Sequence, residues 1–180
     1  MKILYYSVSY ESYQKISALL SCVNIDVTWI QQNQGCLTID EIIRQKQKPA
    51  DLCTLPDIKV MIFHEMNDEQ IGFVIDILKQ QGISVPYKCI VTTHNQSWRL
   101  IDLFRELMKE HEYFSAYEQL KQCIAQVSEL QECVYTEESW KRYESAFMNG
   151  YFLLQKQSST DELKAAIQAI NDTKARLCKK

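Results

Sequence analysis

Glycine is scarce in this sequence: only four of its 180 residues are glycine, and they stand singly. Neither the GxGxxG pattern of dinucleotide-binding folds nor the GxxxxGK[ST] pattern of phosphate-binding loops occurs. Both patterns need clustered glycines, because a backbone without side chains can approach a phosphate closely. The GxSxG pattern of hydrolases and the HExxH pattern of zinc proteases are absent as well. We therefore predict no cofactor.

Clusters of basic residues and long apolar runs are also missing. The formal net charge is −3, and no stripe of Lys and Arg is available to neutralise phosphates. No stretch of 18 apolar residues could span a membrane, and the apolar run after Met1 breaks at Glu11, too early for a signal peptide. We predict a cytoplasmic protein without a nucleic-acid or membrane partner.

The seven cysteines are spread singly, and none belongs to a CxxC pair. This spacing excludes a zinc ribbon and a thioredoxin-type redox motif. An odd number of cysteines without a framework agrees with a reducing compartment, where thiols serve as small apolar residues. One alternative stays open: Cys36 and Cys53 lie in the same polar loop region and could form a regulatory thiol pair.

Residues 1–112 alternate strand-like and helix-like segments, which is typical of a parallel α/β sheet. Capping pairs that begin at Thr38 and Asn67 indicate two of the helices, and Pro49 and Pro56 bracket a loop. We predict a small four-stranded, mostly parallel, flavodoxin-like sheet with strand order 2-1-3-4. The strands are predicted at 3–8, 25–30, 58–63 and 89–92.

Residues 113–180 show no strand pattern but three apolar stripes at helical spacing. The first stripe either opens a new helix or continues the helix that begins near Ser97. The second stripe predicts that Trp140, Tyr143 and Tyr151 lie inside. Three amphipathic helices with short connections favour an antiparallel bundle. We therefore predict two domains, an α/β domain at 1–112 and a three-helix bundle at 113–180.

Three stretches carry a resemblance to a known family: 61–64 (MIFH), 78–82 (LKQQG) and 91–98 (VTTHNQSW). With them, residues from about 58 to 112 resemble the prokaryotic domain-of-unknown-function family numbered 3783. The loop of that family carries a Thr, then an Asn, then a Trp three residues on. Thr92 or Thr93, Asn95 and Trp98 fit this loop. The resemblance implies a fold and supplies no catalytic residues.

A second resemblance covers residues from about 117 to 178. It rests on 135–140 (YTEESW), Ala146 and 160–163 (TDEL), which resemble the FIVAR three-helix domain. FIVAR domains are common in large surface proteins, where they are associated with binding, sometimes to sugars. This chain shows neither an export signal nor tandem copies, so the resemblance implies a spacer or docking role. Sugar binding would need exposed aromatic residues on the bundle, and the inward position predicted for Trp140, Tyr143 and Tyr151 counts against it.

Polar and aromatic residues follow three of the predicted strands. Because the carboxyl ends of parallel strands meet at one edge, we expect them to line one ligand-binding crevice. Structural roles are an alternative at these positions: Asn67, Asn95 and Ser97 as helix caps, Trp98 as a packing anchor, and the histidines as surface residues. The predicted crevice consists of Ser9, Tyr10, His64, Glu65, Asn67, Thr93, His94, Asn95 and Trp98.

No complete catalytic constellation accompanies these residues, and the helical region is suited to docking. The resulting interpretation is a non-enzymatic binding or protein-interaction module, with a protein partner or self-association through the helical domain. The alternative is a small-molecule enzyme or a metal-dependent hydrolase that uses the crevice. That alternative requires His64, Glu65 and His94 to approach one another closely.

Overall fold

The computed structural model describes residues 1–45 and 53–180. They form two compact units, Met1–Met108 and Lys109–Lys180. Pro49, predicted to open a loop, lies outside the described residues. The first unit contains, in chain order, β1 (Lys2–Tyr6), α1 (Tyr10–Ser21), β2 (Asp26–Ile30), a 3₁₀ turn (Gln32–Gln34), α2 (Ile39–Ile43), β3 (Val60–His64), α3 (Asp68–Gln80) and β4 (Tyr87–Ile90).

Helix α4 (Leu100–Ala125) begins in the first unit and continues into the second, so the first apolar stripe extends an existing helix. The second unit then contains two 3₁₀ turns (Gln126–Glu129 and Glu132–Val134), α5 (Glu137–Gln155) and α6 (Thr160–Ala175). Among the residues that the structure describes, no helix is long and apolar enough to cross a membrane.

The predicted fold class, an α/β sheet followed by a helical region, is confirmed, and the strand order is β2-β1-β3-β4. Strand β1 runs parallel to β2, and β3 runs parallel to β4, but β1 and β3 are antiparallel. The sheet is therefore mixed and has two distinct ends. The Tyr6 end carries Tyr6, Ile30, Val60 and Tyr87, and the His64 end carries Lys2, Asp26, His64 and Ile90.

The antiparallel pairing of β1 with β3 agrees with the connection between β2 and β3. A parallel β3 would need a crossover that returns the chain to the opposite end of the sheet. Helix α2 has five residues and rises about 7.5 Å, whereas a strand of that length spans about 17 Å. Helix α2 is thus too short to carry the chain back. The chain re-enters the sheet at the Tyr6 end, where Val60 pairs with Tyr6.

Helices cover both faces of the sheet, and β1 and β3 therefore bury nearly all their side chains. Alternate side chains point to opposite faces of a strand, so each strand serves two apolar clusters. The first cluster joins the sheet to α2 and α4 and includes Leu4, Tyr6, Ile39, Ile42, Val60, Ile62, Leu100 and Phe104. The second joins it to α1 and α3 and includes Ile3, Tyr5, Ile16, Leu20, Met61, Phe63, Val74 and Leu78.

In the second unit, α4, α5 and α6 bury one apolar cluster that includes Leu120, Tyr143, Leu153, Leu163 and Ile170. Tyr143 lies inside, as predicted, but Tyr151 is 42% exposed, so its predicted inward position is wrong. The buried neighbour of Tyr151 is Gly150. A Cβ atom on Gly150 would lie 2.8 Å from Cδ1 of Ile170 and 3.1 Å from Cδ1 of Leu120. The glycine therefore allows a close approach of the helices.

Candidate functional site

The antiparallel pairing of β1 with β3 divides the predicted crevice. Ser9 and Tyr10 follow β1 and lie beyond the Tyr6 end of the sheet. The other predicted residues lie at or after the ends of β3 and β4, which finish at the His64 end: His64, Glu65, Asn67, Thr93, His94, Asn95 and Trp98. The expectation of a single crevice required all carboxyl ends to meet at one edge. Two separate groups of residues replace it.

At the His64 end, His64 is the last residue of β3, and its side chain is 24% exposed. Its Nε2 atom lies 3.6 Å from Oε1 of Glu65, a residue with left-handed backbone (φ 55°). Asn67 caps α3: its Oδ1 accepts the N–H of Gln70 at 2.9 Å. Across residues 1–45 and 53–180, no three His, Cys, Asp or Glu side chains gather as a metal site. His64, Glu65 and His94 therefore do not form the cluster that the alternative of a metal-dependent hydrolase requires.

The side chain of Asn95 holds the loop between β4 and α4 in a closed turn. The Asn95 Oδ1 accepts the N–H of Thr92 at 2.8 Å, and its Nδ2 donates to the carbonyl of Ile90 at 2.9 Å. The Thr92 hydroxyl in turn accepts the N–H of Asn95 at 3.3 Å. Helix α4 begins only at Leu100. The prediction that Asn95 caps the helix is therefore wrong, and Asn95 instead closes the turn that precedes the helix.

Trp98 belongs to the packing of the first unit. Its ring lies partly buried against the cluster between the sheet and α4, and it meets the exposed ring of His94 edge-on at 5.3 Å between centroids. Its carbonyl accepts the N–H of Ile39 at 3.2 Å, and the neighbouring Gln96 carbonyl accepts the N–H of Asp40 at 3.0 Å. These bonds fix the start of α2, which supports the structural reading of Trp98. Thr93 is exposed beside this loop.

Replacing Asn95 by alanine is expected to lower the free energy of unfolding by about 1–2 kcal/mol, because the turn loses an acceptor and a donor. Urea denaturation of the full chain measures this difference. The control is His94→Ala, an exposed neighbour that should stay within about 0.5 kcal/mol of the wild type. Equal stability of the two variants would contradict the role given to Asn95.

At the Tyr6 end, an aromatic cluster surrounds Tyr10. Its ring centroid lies 4.9 Å from that of Trp29 and 5.6 Å from that of Tyr13. Ser9 caps α1 by accepting the N–H of Ser12 at 3.2 Å. Trp29 also lines an open cavity of about 400 Å³ together with Gln31, Gln32, Asn33 and Thr54. A second cavity, of about 260 Å³, is lined by Ser9, Glu11, Ser12, Lys15, Ile16, Lys59 and 82–84.

Sequence reasoning missed the residues around the larger cavity. The signal that could have found them is that Gln31 to Asn33 directly follow β2, which ends beside β1. The same end holds Tyr6, whose hydroxyl donates to the carbonyl of Pro56 at 2.9 Å. Burial, and to a smaller extent the charge of Asp57, raises the pKa of Tyr6 to about 12. This hydroxyl therefore stays protonated at neutral pH and acts as a hydrogen-bond donor.

Cys36 and Cys53 form a disulfide whose Cα atoms lie 5.5 Å apart. The expectation that all seven cysteines are unpaired thiols is therefore wrong. The disulfide joins the two cysteines that the sequence left open as an alternative thiol pair. A separation of 17 residues carries no local signal of pairing. The other five cysteines lie outside the disulfide.

The second unit exposes an apolar surface on α5. We call Phe147, Met148, Tyr151 and Phe152 the α5 outer face. Met148 and Tyr151 are exposed, and Phe152 is 55% exposed. The rings of Phe147 and Tyr151 are stacked at 6.4 Å, and those of Tyr151 and Phe152 meet at 6.2 Å. The rings therefore form one contiguous patch, opposite the buried Tyr143, Gly150 and Leu153.

Comparison with known proteins finds a family match for one part of the chain. Residues 59–114 match the family model of a domain of unknown function (DUF3783). The match includes β3, α3, β4 and the first half of α4, and it confirms the first of the two resemblances. No curated protein and no solved structure matches the chain. Because the match covers less than half of the chain, it supports the α/β part and assigns no activity.

Proposed function

We propose that the protein is a non-enzymatic binding module that docks another protein through its second unit. The observation that carries the proposal is the α5 outer face. Exposed apolar residues are ordinary when scattered, but contiguous aromatic patches on soluble proteins mark binding surfaces. Aromatic and Met side chains are also enriched at protein interfaces. The protein partner is either a different protein or a second copy of this chain.

The chemistry of the patch favours a protein over a small polar ligand. Phe147, Met148 and Phe152 carry no strong hydrogen-bonding group. Small-molecule sites combine apolar walls with a few convergent polar groups. Exposure of Tyr151 removes one argument against sugar binding, but the other three side chains of the α5 outer face are apolar. An apolar helix or loop of a protein is the better match.

A FIVAR-like organisation of residues 113–180, with residues 1–112 as a separate domain, is part of this proposal. It is supported by the packing of α4, α5 and α6 around one apolar cluster. The proposal also includes a cytoplasmic location, which is inferred from the composition of the sequence. The alternative, an enzyme that uses the crevice, is not favoured, because its residues follow strands that finish at opposite ends of the sheet.

The double substitution Tyr151→Ser and Phe152→Ser is expected to weaken association about tenfold or more. Loss of a buried aromatic anchor typically costs an interface more than about 1.4 kcal/mol. Sedimentation velocity of the full chain over a wide concentration range measures self-association. If the chain is monomeric, photo-crosslinking from position 149 identifies a partner, and titration with the purified partner then gives the affinity.

The matched control is Phe73→Ser. Phe73 is 52% exposed, nearly as much as Phe152, but it lies on α3, away from the patch in the sequence and on the other unit. Wild-type association in Phe73→Ser and its loss in the double variant would support the proposal. A folded double variant that associates as strongly as Phe73→Ser would reject it.

A further inference from the structure

The Cys36–Cys53 disulfide ties together two backbone segments at the Tyr6 end of the sheet. The N–H of Gly35 donates to the carbonyl of Cys53 at 3.2 Å, and the N–H of Leu55 donates to the carbonyl of Gln32 at 2.9 Å. The first segment, 31–36, follows β2, and the second, 53–56, precedes β3. The disulfide thus lies beside a short ladder of backbone hydrogen bonds.

The two segments fit closely at Gly35. A Cβ atom there would lie 2.5 Å from the carbonyl oxygen of Cys53, so glycine is needed for this approach. The carbonyl of Gly35 also accepts the N–H of Ile101, in the first turn of α4, at 3.0 Å. Segment 31–36 is therefore held by α4 as well. Segment 53–56 is held by the disulfide, by this ladder, by bonds from the Tyr6 hydroxyl to the carbonyls of Leu55 and Pro56, and by the buried Leu55 side chain.

We propose that Cys36 and Cys53 are a reversible dithiol–disulfide pair that controls how segment 53–56 is attached to segment 31–36. Both residues are half-buried rather than enclosed in the core. Thr54 lies between the disulfide and Leu55, and it lines the 400 Å³ cavity with Trp29, Gln31 and Gln32. Oxidation fixes this wall of the cavity, and reduction releases it.

The reductant is a low-molecular-weight thiol of the glutathione class, and its disulfide is the oxidant. A thiolate of the reductant attacks one cysteine sulfur, the S–S bond breaks, and the other cysteine leaves as a thiolate that takes up a proton. A second thiolate then attacks the mixed disulfide, which releases the first cysteine as a thiolate that is protonated in turn. The protein gains two electrons and two protons, and two thiols become one disulfide.

The test uses the full chain equilibrated in glutathione buffers of graded ratio. Differential alkylation and mass spectrometry follow the fraction of the Cys36–Cys53 linkage. Hydrogen exchange follows the amides of Gly35 and Leu55. On reduction we expect these two amides to exchange about tenfold faster or more, while the amides of β1 and β3 keep their protection. The double substitution Cys36→Ser and Cys53→Ser should reproduce the reduced protein under all conditions. Cys22→Ser, a change at an exposed thiol directly after α1, should behave as wild type.

Three outcomes would overturn the proposal. One is the absence of the Cys36–Cys53 linkage at every buffer ratio in folded protein. Another is unchanged exchange of Gly35 and Leu55 on reduction, which would make the linkage irrelevant to the two segments. The last is loss of protection in β1 and β3 together with the loop, which would identify a structural crosslink rather than a switch. A linkage that forms and breaks reversibly, with exchange confined to the loop, would support it.

Discussion

Replacing Phe104 by alanine is expected to lower the free energy of unfolding by about 3–5 kcal/mol, the usual cost of truncating a fully buried phenylalanine. Phe104 is completely buried where α4 packs on the sheet. Its ring centroid lies 5.1 Å from that of Tyr6 in a tilted arrangement, so the aromatic pair adds to the loss. Against a typical total stability of about 5–15 kcal/mol, the change removes a large fraction of the stability.

The loss should extend to the loops at the Tyr6 end. Tyr6 packs on Phe104 and donates to the carbonyls of Leu55 and Pro56, so a cavity beside the Tyr6 ring weakens the hold on segment 53–56. Urea denaturation measures the change in stability, and hydrogen exchange of the Leu55 amide measures the local effect.

The matched control for this prediction is Phe114→Ala on the same helix. Phe114 is 62% exposed, so its truncation removes no buried contact and should change stability by about 0.5 kcal/mol or less. The change in helix propensity is the same for both substitutions, and the comparison therefore isolates burial. A difference between the variants below about 1 kcal/mol would contradict the place of Phe104 in the core.

Local signals in the sequence predicted the elements well. Capping pairs predicted helix starts at Thr38 and Asn67, and each shows the reciprocal side-chain and backbone bonds of a capping box. Apolar runs predicted all four strands to within about two residues. For β1 and β3 the reason is that buried strands read as continuous apolar stretches. These features depend on residues close in sequence, where spacing alone carries the information.

What the sequence could not predict depends on distant contacts. The direction of β3 is decided by where a long connection returns to the sheet, and no residue within β3 encodes it. That single difference separates Ser9 and Tyr10 from His64. The Cys36–Cys53 pairing is equally non-local. The wrong prediction for Tyr151 has another cause. The apolar pattern gives no weight to Gly150, where the absence of a side chain lets α5 lie close to Ile170 and Leu120.

Replacing Gly150 by leucine is expected to destabilise the second unit by about 3 kcal/mol, the upper part of the usual range for overpacking. The first added carbon already meets Cδ1 of Ile170 at 2.8 Å and Cδ1 of Leu120 at 3.1 Å. Alanine is a milder case, because those methyl groups can rotate away and because alanine favours a helix over glycine by about 1 kcal/mol. Gly150→Ala should therefore be close to neutral.

Gly72 in α3 provides the matched control, because a Cβ atom there meets nothing within 4 Å. Gly72→Ala should stabilise the protein by about 1 kcal/mol, and Gly72→Leu should stabilise it by slightly less, since only helix propensity changes. Urea denaturation gives the free energies, and hydrogen exchange of α5 and α6 assigns the loss to the second unit. If leucine were tolerated at position 150 as well as at position 72, the close approach of the helices at Gly150 would be refuted. A gradient from alanine to leucine at position 150 alone would show that this glycine sets the helix spacing beneath the α5 outer face, and hence the position of the proposed docking surface.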